Sequence, residues 1–275
     1  RTSRIRSHDD RVAGRHRHHP LMPTPTPTAY TSVVLADSPL GFWPLDETPS
    51  DPIDAASTHD AVWAGYAAPI YGPAGCQNAA DLAAGTYATL SADTSALYVP
   101  SSGSWSIEAW IRYAYTLTTI RTPVAWIRGT GSSPDADTTS ISVNNGTGNA
   151  GIVEINVANA AGSARIYARS TSILNDGNWH HIVGTASSGG SMHIYVDGVL
   201  EATNATGRYA STLAPQTRRV YLGSNQGGGQ LYKEDLSCVA IYNYALTSTQ
   251  VLDHFNAMPQ GPCIAGGWSV GFLKF

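Results

Sequence analysis

The segment Ser104-Trp105-Ser106-Ile107-Glu108-Ala109-Trp110-Ile111-Arg112 alternates strictly. Trp105, Ile107, Ala109 and Ile111 fall on one side of an extended chain, and Ser106, Glu108, Trp110 and Arg112 on the other. A period of two is the signature of a β-strand with two unlike faces. Further strands are read at Ile152–Val157, Ala164–Arg169, Trp179–Thr185, Arg219–Gly223 and Leu236–Tyr242. His193–Thr203 reads as two alternating strands around Asp197-Gly198, a dipeptide suited to a type I′ turn. Strands follow one another without helical segments between them, which predicts antiparallel sheets rather than a parallel α/β sheet. One short helix is predicted near the end. Thr247 caps it, Gln250 completes a capping box, and Val251, Leu252, Phe255 and Met258 share a face.

Composition agrees with a turn-rich β protein. Of 275 residues, 42% are hydrophobic, enough for a sizeable core, and only 13% are charged. The charged share is about half the 25% usual for globular chains. No run of about 18 apolar residues occurs, so no membrane-spanning helix is predicted. No apolar h-region follows the basic start, so no signal peptide is read, although processing of a precursor leaves secretion open. Cys76, Cys238 and Cys263 form no CxxC pair and no zinc spacing, and allow at most one bridge. Asn145 and Asn204 begin glycosylation sequons.

The net charge of −4 is unevenly spread. Residues 1–21 hold Arg1, Arg4, Arg6, Arg11, Arg15 and Arg17 against Asp9 and Asp10, a balance of +4, so the other 254 residues carry −8. This arm has too little apolar content to fold alone. It reads as an anchor that orders on a partner protein or nucleic acid, or else as a solvated or upstream tail with Met22 as the start. Its histidines offer a tag-like metal site as a third reading. Residues 22–29, with alternating Pro and Thr, read as a semi-rigid polyproline spacer. Residues 30–257 form the sandwich, and 258–275 an apolar, aromatic tail expected to pack on the body or on a neighbouring subunit.

Four segments resemble, in order and spacing, the laminin-G-like, concanavalin-A-like jelly-roll family. They are Trp105–Arg112, Asn178–Thr185, Ile194–Val199 and Val239–Thr247. The opening Tyr30–Glu47 and the closing Asp235–Leu246 are similar to such domains in virion proteins, often called minor tail proteins, of phages that infect actinobacteria. The resemblance implies an all-β, two-sheet antiparallel jelly-roll sandwich, with frequent roles in binding glycans or proteins. It also implies a structural calcium near the rim, for which Asp46, Glu47, Asp54 and Asp60 are the candidate oxygen ligands. Two departures weaken that site. The glycines expected around Asp54–Asp60 are replaced, and Leu236-Ser237-Cys238 stands where relatives carry an acidic pair.

Catalytic signatures are missing from the sequence. The family's hydrolases gather carboxylates on one strand, whereas Glu108 and Glu154 each stand alone. His180 and His181 are adjacent on a strand and so point to opposite faces. No Gly-x-Ser-x-Gly elbow occurs. Tyr113, Tyr115, Trp126, Tyr209 and Tyr232 are the candidate sugar-binding aromatics, while Trp105, Trp110 and Trp179 read as core. Three readings follow. The first is a non-enzymatic phage virion protein, on capsid or tail, that assembles through its arm and tail and displays a lectin-like sandwich to host glycans. The second is a secreted lectin module, and the third a divergent glycoside hydrolase.

Overall fold

A computed structural model describes residues 29–73, 78–90, 96–97, 103–114, 119–127, 138–143, 150–159, 164–188, 190–205, 219–225 and 228–258. Helix α1 (Ala29–Ala36) opens this part of the chain. It is followed by β1 (Gly41–Trp43), β2 (Ala61–Trp63), β3 (Ala68–Tyr71), β4 (Asn78–Asp81), β5 (Ala88–Leu90), β6 (Trp105–Arg112), β7 (Arg121–Ile127) and β8 (Thr138–Val143). Then come β9 (Val153–Ala158), β10 (Arg165–Arg169), β11 (Trp179–Ala186), β12 (Met192–Val196), β13 (Val199–Asn204), β14 (Arg219–Leu222), β15 (Asp235–Tyr242) and helix α2 (Ser248–Ala257).

The strands form two sheets. One runs β13-β12-β11-β6-β15-β4-β3, with β1 also on β15, and the other runs β10-β9-β8-β7-β14-β5-β2. Every strand pair is antiparallel. Between the sheets lies a core built from alternate residues. Trp105, Ile107, Ala109 and Ile111 of β6 meet Ile141 and Val143 of β8 and Val153, Ile155 and Val157 of β9. The sheets pack tightly at Gly184 of β11, where an added Cβ would lie 2.6–2.7 Å from three atoms of Ile155.

The other face of β6 is buried as well. Trp110 packs with Val183, Ala240 and Tyr242 of neighbouring strands, beneath Tyr30 and Val34 of α1 and Val251 of α2. An antiparallel sheet commonly leaves one face to water. Here two helices cover it, so β6 is buried along nearly its whole length.

The strands read in the sequence are present, with ends shifted by a residue or two. Asp197 and Gly198 have φ of 49° and 80°, the left-handed pair a type I′ turn requires. The capping box at Thr247 and Gln250 is present in both directions. Helix α1 is absent from the sequence reading: Ala-Tyr-Thr-Ser-Val-Val-Leu-Ala is rich in β-branched residues, and the burial of Tyr30 and Val34 overrides that propensity. On α2, Leu252 is 44% exposed and His254 is buried in its place, which corrects the expected apolar face. Strand β7 contains Pro123, and its pairing with β8 slips between Arg121 and Val124. The arm, residues 22–28 of the Pro-Thr spacer, Cys76, Cys263 and the tail beyond Met258 lie outside the described residues, and Ala29, expected to end the spacer, begins α1. Cys238 is buried, with Ser237 Oγ 3.3 Å from its Sγ.

Candidate functional site

The four carboxylates proposed for calcium do not form one set. Asp54 is a backbone staple: the amides of Phe42 (2.9 Å) and Ala56 (3.0 Å) donate to its Oδ1, and that of His59 (3.2 Å) to its Oδ2. Asp60 accepts the Asp54 amide at 2.9 Å. Asp46 and Glu47 pair with each other instead. Burial, then the Asp46 charge, pushes the Glu47 carboxyl up to about 7. Among the described residues no group of three or more His, Cys, Asp or Glu side chains is placed to hold a metal. Calcium needs six to eight oxygens. With Asp54 and Asp60 committed to amides and an uncharged Ser237 donating to Pro44 O, the residues present do not fit that ion.

Glu108 lies at the centre of a buried network on the helix-covered face of the first sheet. Its Oε1 accepts from Tyr30 Oη and from His181 Nε2 (2.8 Å). Its Oε2 accepts from Tyr242 Oη (3.0 Å) and His254 Nδ1 (3.0 Å). The other nitrogen of His254 donates to Asp37 Oδ2 at 3.0 Å. Both nitrogens of His254 thus face carboxylates, as an imidazolium requires. His181 meets Glu108 through Nε2, and its Nδ1 is buried without a hydrogen-bond partner. Burial pushes the Glu108 carboxyl up, but the His254 charge and the hydrogen bonds from His181 and His254 outweigh it and hold the carboxyl well below its usual range. Burial would lower His254, but the charge of Glu108 and the bonds to Glu108 and Asp37 raise it to about 9. Glu108, His181 and His254 are wholly enclosed, so the network fastens α1 and α2 to the sheet and has no opening to a substrate.

The alternation rule holds for the histidine pair. His181 joins that network, while His180 bonds Asp197 (2.8 Å) and Asp176 (3.1 Å) at the strand end. The rule also corrects the aromatic candidates. Tyr113, Trp126 and Tyr232 are in the core between the sheets, at 1% exposure or less. Tyr113 Oη donates to Gly151 O and Tyr232 Oη to Arg112 O, so neither ring is a sugar platform. Tyr115, Tyr209 and the six arm arginines lie outside the described residues. Of Trp105, Trp110 and Trp179, the first two are buried and the third is partly covered, with Arg112 over its ring at 5.2 Å.

An open groove of about 600 Å³ lies where β10, the edge of the second sheet, meets β13, the edge of the first. Its walls are Arg165, Ile166, Tyr167 and Arg169 on one side and Thr203 and Asn204 on the other. Ile166 and Ala168 turn to the core, so Arg165, Tyr167 and Arg169 share the outward face. Asn204 Nδ2 donates to Tyr167 O (2.7 Å) and ties the two edges together. The cross-strand partner of Arg169 is Glu154, whose buried Oε2 accepts from Arg169 Nε at 3.1 Å. The Arg169 guanidinium also lies over the Tyr167 ring, 4.6 Å from its centre. Arg165 Nη1 donates to Asn156 Oδ1 (3.1 Å), Asn156 Nδ2 to Ser142 Oγ (2.9 Å), and Ser142 lies 3.2 Å from Ser140. A buried polar ladder across β8 and β9 therefore fixes the groove's two arginines. Arg, Tyr and Arg at alternate positions of one strand were the available signal, but no spacing in the sequence shows that this strand is an edge.

The architecture is that of an antiparallel jelly-roll sandwich, the class that holds lectins and glucanases. The chain belongs to the Laminin_G_3 family of the concanavalin A-like lectin/glucanases superfamily, whose family model matches residues 82–252. No curated protein matches the chain in sequence. Domain 4 of AbnA, a GH43 extracellular arabinanase from Geobacillus stearothermophilus solved with arabinotriose, is similar in fold. Its TM-score is 0.59 at 18% identity, over 79% of this chain and 98% of that one. The binding domain of Paraclostridial Mosquitocidal Protein 1 has a TM-score of 0.61 at 14% identity, over 81% of this chain and 53% of its own. The receptor-binding domain of a botulinum neurotoxin C/D mosaic has 0.59 at 13%, over 80% and 51%. The chain thus spans about half the length of each toxin binding domain. No described helix is long and apolar enough to cross a membrane.

Proposed function

We propose that this protein is a non-catalytic, glycan-binding sandwich displayed on a phage virion, with the groove between β10 and β13 as its sugar site. The observation that carries the binding reading is the groove itself. Arg165, Arg169, Asn204 and Thr203 line one open cleft, and the two guanidiniums are held by the buried Asn156 and Glu154. Sugars are recognised by such fixed polar groups in a concave site. The arabinotriose complex of the similar AbnA domain supports the same ligand class. Two further facts support a non-catalytic role. Glu108 and Glu154 belong to different sheets, and each is buried and engaged by cations. Glycoside hydrolysis needs two carboxyls about 5–10 Å apart across one cleft. Attachment to capsid or tail rests on the +4 arm ahead of an acidic body and on the resemblance of Tyr30–Glu47 to virion proteins.

A glycan array with the full chain tests the binding reading. Selective retention that is weakened in Tyr167→Ala is expected, and an array without a single retained glycan overturns it. Release of reducing ends from a bound glycan overturns the non-catalytic assignment. Purified particles are expected to hold the protein at a fixed copy number, and occurrence only as free protein in the supernatant overturns the virion assignment.

A further inference from the structure

We propose that the β10/β13 groove selects acidic sugars, with Arg165 and Arg169 reading their carboxylates; this rests on the glycan-binding reading above. Three observations carry it. First, the groove is a cationic spot on an anionic body. Outside residues 1–21 the chain carries 18 acidic residues against 10 basic ones. Among the described residues that line the groove two are arginines and none is acidic; Glu154, which pairs with Arg169 from beneath, is only 1% exposed. The nearest acidic residue of β13, Glu201, is engaged by the Thr171 and Ser172 amides (2.7 and 3.1 Å) and does not line the groove.

Second, Arg169 is aimed. Glu154 holds it by Nε and Tyr167 lies beneath its guanidinium, while the side chain stays 43% exposed. Engagement through Nε leaves the Nη1/Nη2 fork, which suits a carboxylate bidentately. Holding the fork in place before a ligand arrives removes part of the ordering cost of binding. Tyr167 is a positioning residue in this scheme.

Third, the two arginines are spaced. They lie four residues apart on one strand, roughly 13 Å along it. They bracket Tyr167, so they suit successive acidic units of an oligosaccharide better than a single one. The Asn156–Ser142 ladder holds Arg165 at its place.

The test measures affinity of the full chain for oligogalacturonate, its methyl ester, a neutral arabino-oligosaccharide and dextran sulfate. The ester keeps the rings and removes only the charge. The expected result is at least tenfold tighter binding of the acid than of the ester or of dextran sulfate. Arg169→Gln and Arg165→Gln should each lose about tenfold for the acid and little for neutral sugar. Both variants retain the arginine-rich arm, so acid preference that survives undiminished in both belongs to the arm and overturns the proposal. Equal affinity for acid and ester, or for dextran sulfate, also overturns it and leaves the lectin reading intact. Absence of binding to any sugar removes the lectin reading itself. If Arg169→Gln fails to fold because the buried Glu154 loses this cation, Arg165→Gln and the ester comparison still decide.

Discussion

His254 should make this protein lose stability in mild alkali. In the folded chain its side chain is fully buried between Glu108 and Asp37, with a pKa raised from 6.5 to about 9. A raised pKa means that the folded state holds the proton more tightly than the unfolded chain. The stabilisation is therefore complete below about pH 6.5 and is lost as pH rises through about 9. Each pKa unit is worth about 1.4 kcal/mol, so the window carries about 3 kcal/mol. That is a large part of the roughly 5–15 kcal/mol that holds a typical domain together. The low pKa of Glu108 reports the same contact from its other side and is not added. Urea unfolding followed by tryptophan fluorescence between pH 6 and 9.5 measures the effect. Over the same range His180, which is also raised, and Glu47 and Glu234, both raised to about 7, contribute slopes common to wild type and variant. His254→Gln keeps a hydrogen-bonding side chain without the titration, so its profile should be flatter than wild type by about 3 kcal/mol. Parallel wild-type and variant profiles would refute the assignment of an imidazolium between the two carboxylates.

Further expectations test other parts of the fold. Asp54→Ala strips acceptors from three amides behind a buried side chain and should cost about 2–4 kcal/mol, read from denaturant midpoints. Gly184→Ala drives a methyl into Ile155 of the facing sheet, and should cost about 1–3 kcal/mol in the same assay. EDTA or added calcium should leave the melting temperature unchanged, because Asp54 and Asp60 are already spent on amides; a calcium-dependent rise would restore the rim site. Expression in a host that glycosylates Asn204 should abolish sugar binding at the groove, since the modified amide is the one that bonds Tyr167 O; mass spectrometry with a binding assay checks it.

Glu108 shows what could be read early and what could not. Alternation alone assigned it to the face opposite Trp105 and Ile107, and that assignment holds. Its partners, Tyr30, His181, Tyr242 and His254, come from positions 73 to 146 residues away, and no local pattern links them. The same division runs through the aromatic candidates. Tyr113 and Tyr232 stand at strand ends, and a strand end can turn inward as easily as outward. The calcium candidates rest on a resemblance, and the amides of Phe42, Ala56 and His59 take the oxygens of Asp54 instead. The groove is not legible for a related reason. Ala164–Arg169 and Val199–Asn204 are each recognisable as strands, yet their meeting depends on which strand is last in each sheet.

The sequence by itself determined strands β6 and β9–β15, their two faces, the I′ hairpin and the capping box of α2, and its resemblance to a known family implied the jelly-roll class. The strands, hairpin and cap follow from side-chain period or from backbone chemistry within a few residues. Only the tertiary structure decided that a buried ionic network fastens the helices to the first sheet, that Tyr113, Trp126 and Tyr232 are core, and that a groove lined by two arginines opens where the two sheets' edges meet. Those features depend on contacts between segments distant in sequence, and their free energy comes from desolvation and charge pairing that exist only once the sheets are stacked.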